Sequence, residues 1–357
     1  MSDVTTTSST VDGDVHIHEK PSDLAPFCEM PWQKSLAEDG SERWLDTAGY
    51  SPLTPLDPPT GDYTDQKPYV VEIADQLRAD LDRAGIGRAM LYTGRFIGMA
   101  SSQSVDYATC VCAAYNRYLR ERWLDPKRGL YGALLVPTQD PDVAAREIAH
   151  NAAAPGIAAV LLSTVHIHPL FGDRIYDPIY AAAVDADLPI VFHGATTYGS
   201  IPPYQLQDFQ TPLDRGALSM PLGAISNLIS MVTNGTFVRF PRLRVLFCEV
   251  GLTWLPFVRA RLDGQYRFLR ANVPDLSKRP SEYIRQQVWV TTHPMADASD
   301  PSSTAALIEE IGADRVIFGS DWPHYDHDAT SVIEGLPLSA TTRAAILGGN
   351  ANSLFRF

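Results

Sequence analysis

The sequence predicts a (β/α)8 barrel of the TIM type, an α/β fold, with an N-terminal insertion and a lid insertion. Short apolar runs alternate with helical patterns, which is typical of consecutive βαβ units and a parallel sheet. Eight such runs are present, and right-handed crossovers repeated without reversal close a sheet into a barrel. The 357 residues fit one domain spanning residues 1–357, because α/β barrels reach roughly 250 residues or more as a single unit.

The predicted strands are β-rich runs bounded by Gly, Pro, Asp or charged residues. In chain order they span residues 11–18, 87–93, 130–136, 157–163, 189–194, 243–251, 288–293 and 315–320. The predicted helices have apolar positions at three- and four-residue spacing, with Pro or Ser near several starts. They span residues 104–124, 141–153, 175–186, 255–271 and 303–311.

Two segments do not fit the repeat. Residues 19–68 are rich in Pro and contain Trp32, so they are too long for an ordinary βα loop and too aromatic for a disordered linker. We expect an ordered insertion over the barrel mouth or an arm in an oligomer. Residues 195–219 follow the fifth strand and are expected to form a lid. Its candidate substrate contacts are Tyr198, Tyr204 and Arg215.

The charge and the apolar pattern exclude several classes of partner. The chain has 29 Lys and Arg against 42 Asp and Glu, a net charge of −13, which repels nucleic-acid phosphates and anionic membranes. The N-terminus has neither a basic start nor an apolar region, and no apolar run approaches the roughly 18 residues of a membrane span. We expect a cytoplasmic protein with a small-molecule substrate.

Histidines at strand ends predict a metal site. His16 and His18 are two residues apart on the first strand, so both side chains point to one face. Alone, such a pair is also explained as two polar residues at a strand end. His193 and Asp321 each follow another apolar strand, and barrel active sites lie at the C-terminal strand ends. Three imidazoles and a carboxylate suit one divalent ion, zinc first, with manganese or iron as alternatives.

At this point the sequence resembles the amidohydrolase superfamily, in the branch that includes aminocarboxymuconate-semialdehyde decarboxylase and the hydroxybenzoate decarboxylases. Its marks are D-V-H-I-H at residues 14–18, the strand end at His193, and F-G-S-D-W-P-H at residues 318–324. The resemblance implies a (β/α)8 barrel with a metal held by the positions named above. Relatives commonly pair, so we expect a homodimer or higher homo-oligomer.

One departure from the family concerns the end of the sixth strand. The hydroxybenzoate decarboxylases carry His-x-Gly there, whereas this chain has Glu249 in place of the histidine. Glu249 is a candidate general base, metal ligand or structural acceptor. The fourth predicted strand, residues 157–163, contains no lysine that could bridge two metals as in binuclear relatives, so we expect one ion.

The candidate reacting groups follow from these ligands. A divalent ion lowers the pKa of bound water to about 7, and Asp321 is expected to take its proton as a general base. His293 and His324 are candidate proton-transfer or substrate-contacting groups, although a structural role explains each equally well. Further candidate substrate contacts lie in loops and in the lid. They are Arg95, Arg174, Arg215, Tyr198, Trp254 and Trp322.

Three functions remain open at this stage. The first is a metal-dependent hydrolase of an amide, lactone or activated C–C bond in a small aromatic or carboxylate-bearing substrate. The second is a non-oxidative decarboxylase, a lyase acting on a hydroxyaryl or semialdehyde carboxylic acid. The third is a barrel that binds without turnover, for which a full ligand set has no obvious use. Glu249 in place of histidine favours hydrolysis over decarboxylation.

Overall fold

The computed structural model describes residues 10–38, 71–164, 168–194, 212–295, 300–324 and 326–357. Its eight strands form one parallel sheet in the order β1 to β8. They are β1 Val11–Ile17, β2 Arg88–Thr93, β3 Leu130–Leu135, β4 Ile157–Ser163, β5 Ile190–His193, β6 Val245–Cys248, β7 Val288–Thr291 and β8 Val316–Ile317. All eight predicted strands are therefore present, and the barrel prediction is confirmed.

The sheet closes through the chain that follows β8. The Gly13 amide donates to the Phe318 carbonyl at 2.8 Å, and the His16 amide donates to the Trp322 carbonyl at 2.7 Å. The Asp321 amide donates back to the Asp14 carbonyl at 2.9 Å. These bonds join the first and last strands and place Asp321 beside the candidate ligands of β1.

Helices surround the sheet. In chain order they are α1 Pro21–Leu24, α2 Trp32–Glu38, α3 Ala74–Arg83, α4 Val105–Arg122, α5 Pro141–Asn151, α6 Asp177–Asp185, α7 Pro212–Thr233, α8 Thr236–Arg239, α9 Trp254–Leu269, α10 Pro280–Gln287, α11 Pro301–Ile311, α12 Ser331–Glu334, α13 Ala340–Ala344 and α14 Asn350–Leu354. Asp140 and Asp300 cap α5 and α11 by accepting backbone amide hydrogen bonds, which satisfies donors that the first helical turn leaves free. Within the described ranges, no helix is both long and apolar enough to cross a membrane.

The largest differences from the predicted strands are at β6 and β8, which are five and four residues shorter than their predicted spans. β6 spans four residues and ends before Glu249, and β8 spans two and ends before Asp321. Glu249 has φ 55° and Asp321 has φ 65°, in the left-handed region that an extended strand cannot include. Both acidic residues therefore sit on turns that leave the barrel, and not within the sheet.

The described part of the N-terminal insertion packs against the outside of the barrel. Its Trp32 ring lies 5.1 Å from Tyr107 on α4, edge to face, and its Phe27 ring lies 6.1 Å from Tyr118 on the same helix. Leu24 and Leu36 of this segment are also buried. Residues 39–68 of the predicted insertion are outside the described residues.

The predicted lid is only partly described. Residues 195–211 lie outside the described ranges, while the remainder of the predicted segment, from Pro212 on, forms the beginning of α7. The prediction of a loop through residue 219 is therefore wrong from Pro212 on, where the chain is helical. Periodic apolar positions continue through α7 to its buried residues Ala224, Leu228 and Met231, which explains why the helix begins so early.

Candidate active site

Side chains from three strand ends meet inside one end of the barrel. His16 on β1, His193 at the end of β5 and Asp321 after β8 are all buried. His16 Nε2 lies 3.2 Å from Asp321 Oδ1, and the His16 and His193 ring centroids are 4.9 Å apart. The structure thus brings together three of the four residues predicted as metal ligands.

The hydrogen bonds of the two imidazoles fix which nitrogen faces the centre. His16 Nδ1 is 3.2 Å from the Thr93 carbonyl oxygen, and His193 Nδ1 is 2.7 Å from that of Gly194. A carbonyl oxygen only accepts, so Nδ1 carries the proton in both rings and Nε2 is left as a free electron-pair donor in the neutral ring. Such a backbone bond is what orients metal-binding histidines in proteins.

Asp14 was missed by the sequence analysis. Its Oδ1 lies 3.2 Å from His193 Nε2 and 3.5 Å from His16 Nε2. Burial alone would raise the pKa of Asp14, but the charge of His193 and the hydrogen bonds of His16 and His193 outweigh burial and lower that pKa. The available signal was its position two residues before His16, on the same face of β1.

His18 lies next to this cluster. Its ring centroid is 5.8 Å from that of His324. Burial, and then the positive charges of His324 and His16, lower the pKa of His18 to about 4, so its imidazole is neutral near pH 7. Its Nδ1 atom is buried and finds no hydrogen-bond partner among the described residues.

The donor set fits a divalent cation. Ligand atoms of His16, Asp321 and His324 lie within 4.8 Å of one another, as do those of His16, His193 and Glu249. Imidazole nitrogens and carboxylate oxygens face each other at the 3.2 Å separations given above, and both kinds of atom can donate an electron pair to a cation. Atoms bound to one ion at about 2.0–2.2 Å would lie at about this spacing. Imidazoles and carboxylates together suit zinc, manganese or iron.

Glu249 enters the cluster from the end of β6. Its Oε2 lies 3.3 Å from His193 Nδ1, and its amide donates to Thr291 Oγ1 at 3.1 Å. Gly194 permits this approach, since a Cβ there would lie 2.5 Å from the Glu249 carbonyl oxygen. Burial, reinforced by the charges of Asp321 and Asp14, raises the pKa of Glu249 well above its usual value.

Two further histidines contact Asp321. His324 Nδ1 lies 2.8 Å from both of its carboxylate oxygens. His293 Nε2 lies 3.4 Å from Asp321 Oδ2, while His293 Nδ1 lies 2.9 Å from Asp328 Oδ2. Burial opposes the charged ring of His293, but hydrogen bonds to Asp321 and Asp328 raise its pKa to about 11. Sequence analysis named both histidines and missed Asp328.

The residues predicted as substrate contacts lie in several different environments. Arg95 is half-buried and close enough for its charge to lower the pKa of His18. The Trp322 ring packs edge to face on His327 at 4.6 Å and lines a cavity of about 290 Å³ that is also lined by Leu81 and Phe318. Arg174 is 68% exposed and 3.8 Å from Asp275.

The remaining predicted contacts fall in two groups. Trp254 donates from Nε1 to the Gly251 carbonyl at 3.0 Å and packs on Phe247, as a core residue does. Tyr198 and Tyr204 lie outside the described residues. Arg215 lies in α7, but its side chain is also outside the described part of the chain.

Comparison with known proteins identifies the family. A family model described as Amidohydrolase matches residues 14–357. The chain belongs to the amidohydrolase family. This confirms the resemblance seen in the strand-end motifs, and the match covers the barrel from Asp14 in β1 onward.

Named relatives of this amidohydrolase include decarboxylases. It is 24% identical over 327 residues to gamma-resorcylate decarboxylase of Polaromonas sp. (strain JS666 / ATCC BAA-500), covering 88% of this chain and 95% of that protein. Among solved structures, an amidohydrolase from Mycobacterium avium subsp. paratuberculosis K-10 superposes with a TM-score of 0.75 at 20% identity, covering 98% of this chain and 100% of the other.

A second solved structure is similar at the same level. It is a mutant of 5-carboxyvanillate decarboxylase from Novosphingobium aromaticivorans DSM 12444 with bound manganese. Its TM-score is 0.73 at 20% identity, covering 97% of this chain and 96% of that one. Both structural likenesses establish the same barrel fold for this amidohydrolase.

Proposed function

We propose that this amidohydrolase is a metal-dependent, non-oxidative decarboxylase of a hydroxyaryl carboxylic acid. The observation that carries the proposal is the match to gamma-resorcylate decarboxylase over 88% of the chain. The preference for hydrolysis, which rested on Glu249 alone, has less support than the decarboxylase alternative.

We propose His16, His18, His193 and Asp321 as the metal ligands. Asp14 lies closer to the N-terminal end of β1, faces Nε2 of His193 and would balance the positive charge of the ion with its carboxylate. When bound, a divalent ion would hold the carboxylate and neighbouring hydroxyl oxygens of the substrate and offset their negative charge. The manganese in the 5-carboxyvanillate decarboxylase structure makes manganese a stronger candidate than zinc.

His293 and Asp321 are proposed to hold the proton that replaces carbon dioxide. Their facing atoms are 3.4 Å apart, and both side chains are almost fully buried. The proton goes to the ring carbon that bears the carboxylate, and the ring supplies the electron pair of the new C–H bond. The C–C bond then breaks, its electron pair returns to the ring, and carbon dioxide leaves. Burial keeps bulk water away from the charged ring intermediate.

Arg95 is proposed to contact an anionic group of the substrate, since a guanidinium pairs well with carboxylates. His324, which is 32% exposed, can contact the same substrate. Tyr198, Arg215 and Trp322 remain predictions as substrate contacts. The homodimer also remains a prediction, and light scattering at micromolar concentration tests it.

The test of the function is a substrate panel assayed for two products. Purified protein, loaded with manganese or zinc, is given 2,6-dihydroxybenzoate, 5-carboxyvanillate, a semialdehyde acid, a lactone and an anilide. We expect carbon dioxide from at least one hydroxyaryl acid, abolished by chelator and restored by metal. Hydrolysis of the lactone or anilide without any carbon dioxide from the acids would instead establish the hydrolase, for which Glu249 would orient the water.

A further inference from the structure

Asp328 connects the ends of two neighbouring strands at the candidate active site. Its carboxylate Oδ2 accepts from His293 Nδ1 at 2.9 Å and from the Met295 amide at 3.0 Å, both just after β7. Its own amide donates to the Ser320 carbonyl at 2.8 Å, one residue before Asp321. Asp328 is therefore fixed to both sides of the gap that separates His293 from Asp321.

We infer that Asp328 is a positioning residue that holds the His293 ring so that Nε2 faces Asp321 and the reacting carbon. The role in catalysis rests on the proposed function of His293, whereas the contact between Asp328 and His293 does not depend on that proposal. A histidine side chain has two rotatable bonds and would otherwise adopt several rotamers. The hydrogen bond at Nδ1 fixes the ring plane and occupies that nitrogen, which leaves Nε2 to face the site.

The hydrogen bond from the Met295 amide determines how the side chain of an asparagine would be oriented at this position. In Asp328→Asn, the amide oxygen can occupy the place of Oδ2, because an NH2 group there would face the Met295 N–H donor. His293 Nδ1 then keeps its acceptor, although the negative charge is lost. Asp328→Ala removes the acceptor altogether. The two variants therefore separate orientation of the ring from charge.

The first arm of the test needs no substrate. The proton on His293 Nδ1 should give a downfield NMR resonance, identified by its loss in His293→Asn. We expect this resonance in the wild type and in Asp328→Asn, and we expect it to be absent in Asp328→Ala. Its persistence in Asp328→Ala would overturn the assigned contact, whether or not the protein releases carbon dioxide.

The second arm is a double-mutant cycle on the acid that the substrate panel identifies. Asp328→Ala should lower kcat by about 10- to 100-fold with KM unchanged, since a displaced proton-transfer group acts after binding. Asp328→Asn should keep most of kcat. In the His293→Asn background, Asp328→Ala should cost nothing further, because residues that act as one unit are not additive.

The matched control is Glu334→Gln, an acid-to-amide change at an exposed residue of α12, which should leave kcat, KM and metal content unchanged. Unfolding midpoints and metal content are measured for every variant. Equal losses of kcat in Asp328→Ala and Asp328→Asn, or an undiminished effect of Asp328→Ala without His293, would overturn positioning through the imidazole. A failed substrate panel with the resonance pattern as expected would reject the proposed reaction while retaining the contact.

Discussion

Asp14 Oδ1 lies 3.2 Å from His193 Nε2, so a carboxylate of β1 reaches across the barrel interior to the imidazole that ends β5. The Nδ1 atom of the same imidazole faces the Gly194 carbonyl. The backbone contact at Nδ1 therefore holds the His193 ring with Nε2 facing the carboxylates of the site before any ligand arrives. Such pre-organisation is what a tight metal site requires.

The first prediction separates metal ligands from the residues that support them. His18→Ala should lose a ligand and most of the bound metal, whereas Asp14→Asn should weaken metal affinity by about 10- to 100-fold, the usual cost of losing a supporting partner. Elemental analysis of protein purified without chelator should give one ion per wild-type chain. Full metal content in His18→Ala together with an empty Asp14→Asn would make Asp14 the ligand.

The second prediction concerns Asp321, whose carboxylate contacts His16, His293 and His324. Burial alone would raise its pKa, but these imidazoles hold that pKa well below its usual value. Asp321→Asn can coordinate through oxygen but cannot accept a proton, so turnover should fall by about 10²–10⁴-fold while much of the metal remains. Steady-state kinetics with matched elemental analysis checks this, and wild-type rates in the variant would remove Asp321 from proton transfer.

The third prediction concerns Glu249, the residue that distinguishes the two leading functions. In a decarboxylase whose proton comes from His293 or Asp321, Glu249→Gln should lower kcat by less than about 10-fold. In a hydrolase that uses Glu249 to orient water, the same change should cost at least about 10²-fold with metal content unchanged. The assay follows carbon dioxide and hydrolysis product together. Loss of the metal would show that Glu249 is itself a ligand.

The barrel could be predicted because each strand is specified by its own short apolar run in the sequence. β4 was predicted with the bounds that the structure has, since all seven of its residues are buried and the whole run is apolar except for its last residue. The end of β8 was predicted too late, because the apolar run continues to Phe318 although the ladder ends at Ile317. The left-handed turn at Asp321 left no signal in hydrophobicity.

Within the site, only residues at the ends of strands could be predicted from the sequence. His16, His193 and Asp321 follow from the rule that barrel sites form at the C-terminal ends of strands. The contact of Asp14 with His193 spans 179 residues of sequence, and that of Asp328 with His293 spans 35. Pattern reasoning has no access to such pairs. Nor does it show that the Trp322 side chain lines a cavity together with Leu81 and Phe318, because side-chain direction at an irregular turn depends on the folded backbone.

The fourth prediction uses Glu19, a buried carboxylate next to the candidate ligand His18. Glu19 Oε1 accepts hydrogen bonds from Thr93 Oγ1 and from the amides of Arg95 and Phe96. Its Oε2 is buried with no hydrogen-bond partner among the described residues. Burial outweighs the hydrogen bonds and raises the pKa of Glu19 from 4.5 to about 7.

A raised carboxyl pKa means that the folded state holds its proton more tightly than the unfolded state does. The contribution to stability is therefore fully present below pH 4.5 and is lost as the pH rises to about 7. That shift corresponds to a loss on the order of 3 kcal/mol.

Glu19→Gln keeps an acceptor for Thr93 and the two amides but has no proton to lose. The free energy of unfolding of Glu19→Gln relative to wild type should therefore rise between pH 4.5 and 7 and then level off. Urea unfolding across this range, in chelator so that no bound cation contributes, measures the difference. The control, Glu309→Gln on an exposed face of α11, should show no such rise, and a flat difference for Glu19→Gln would mean that Glu19 is already ionised in the folded protein.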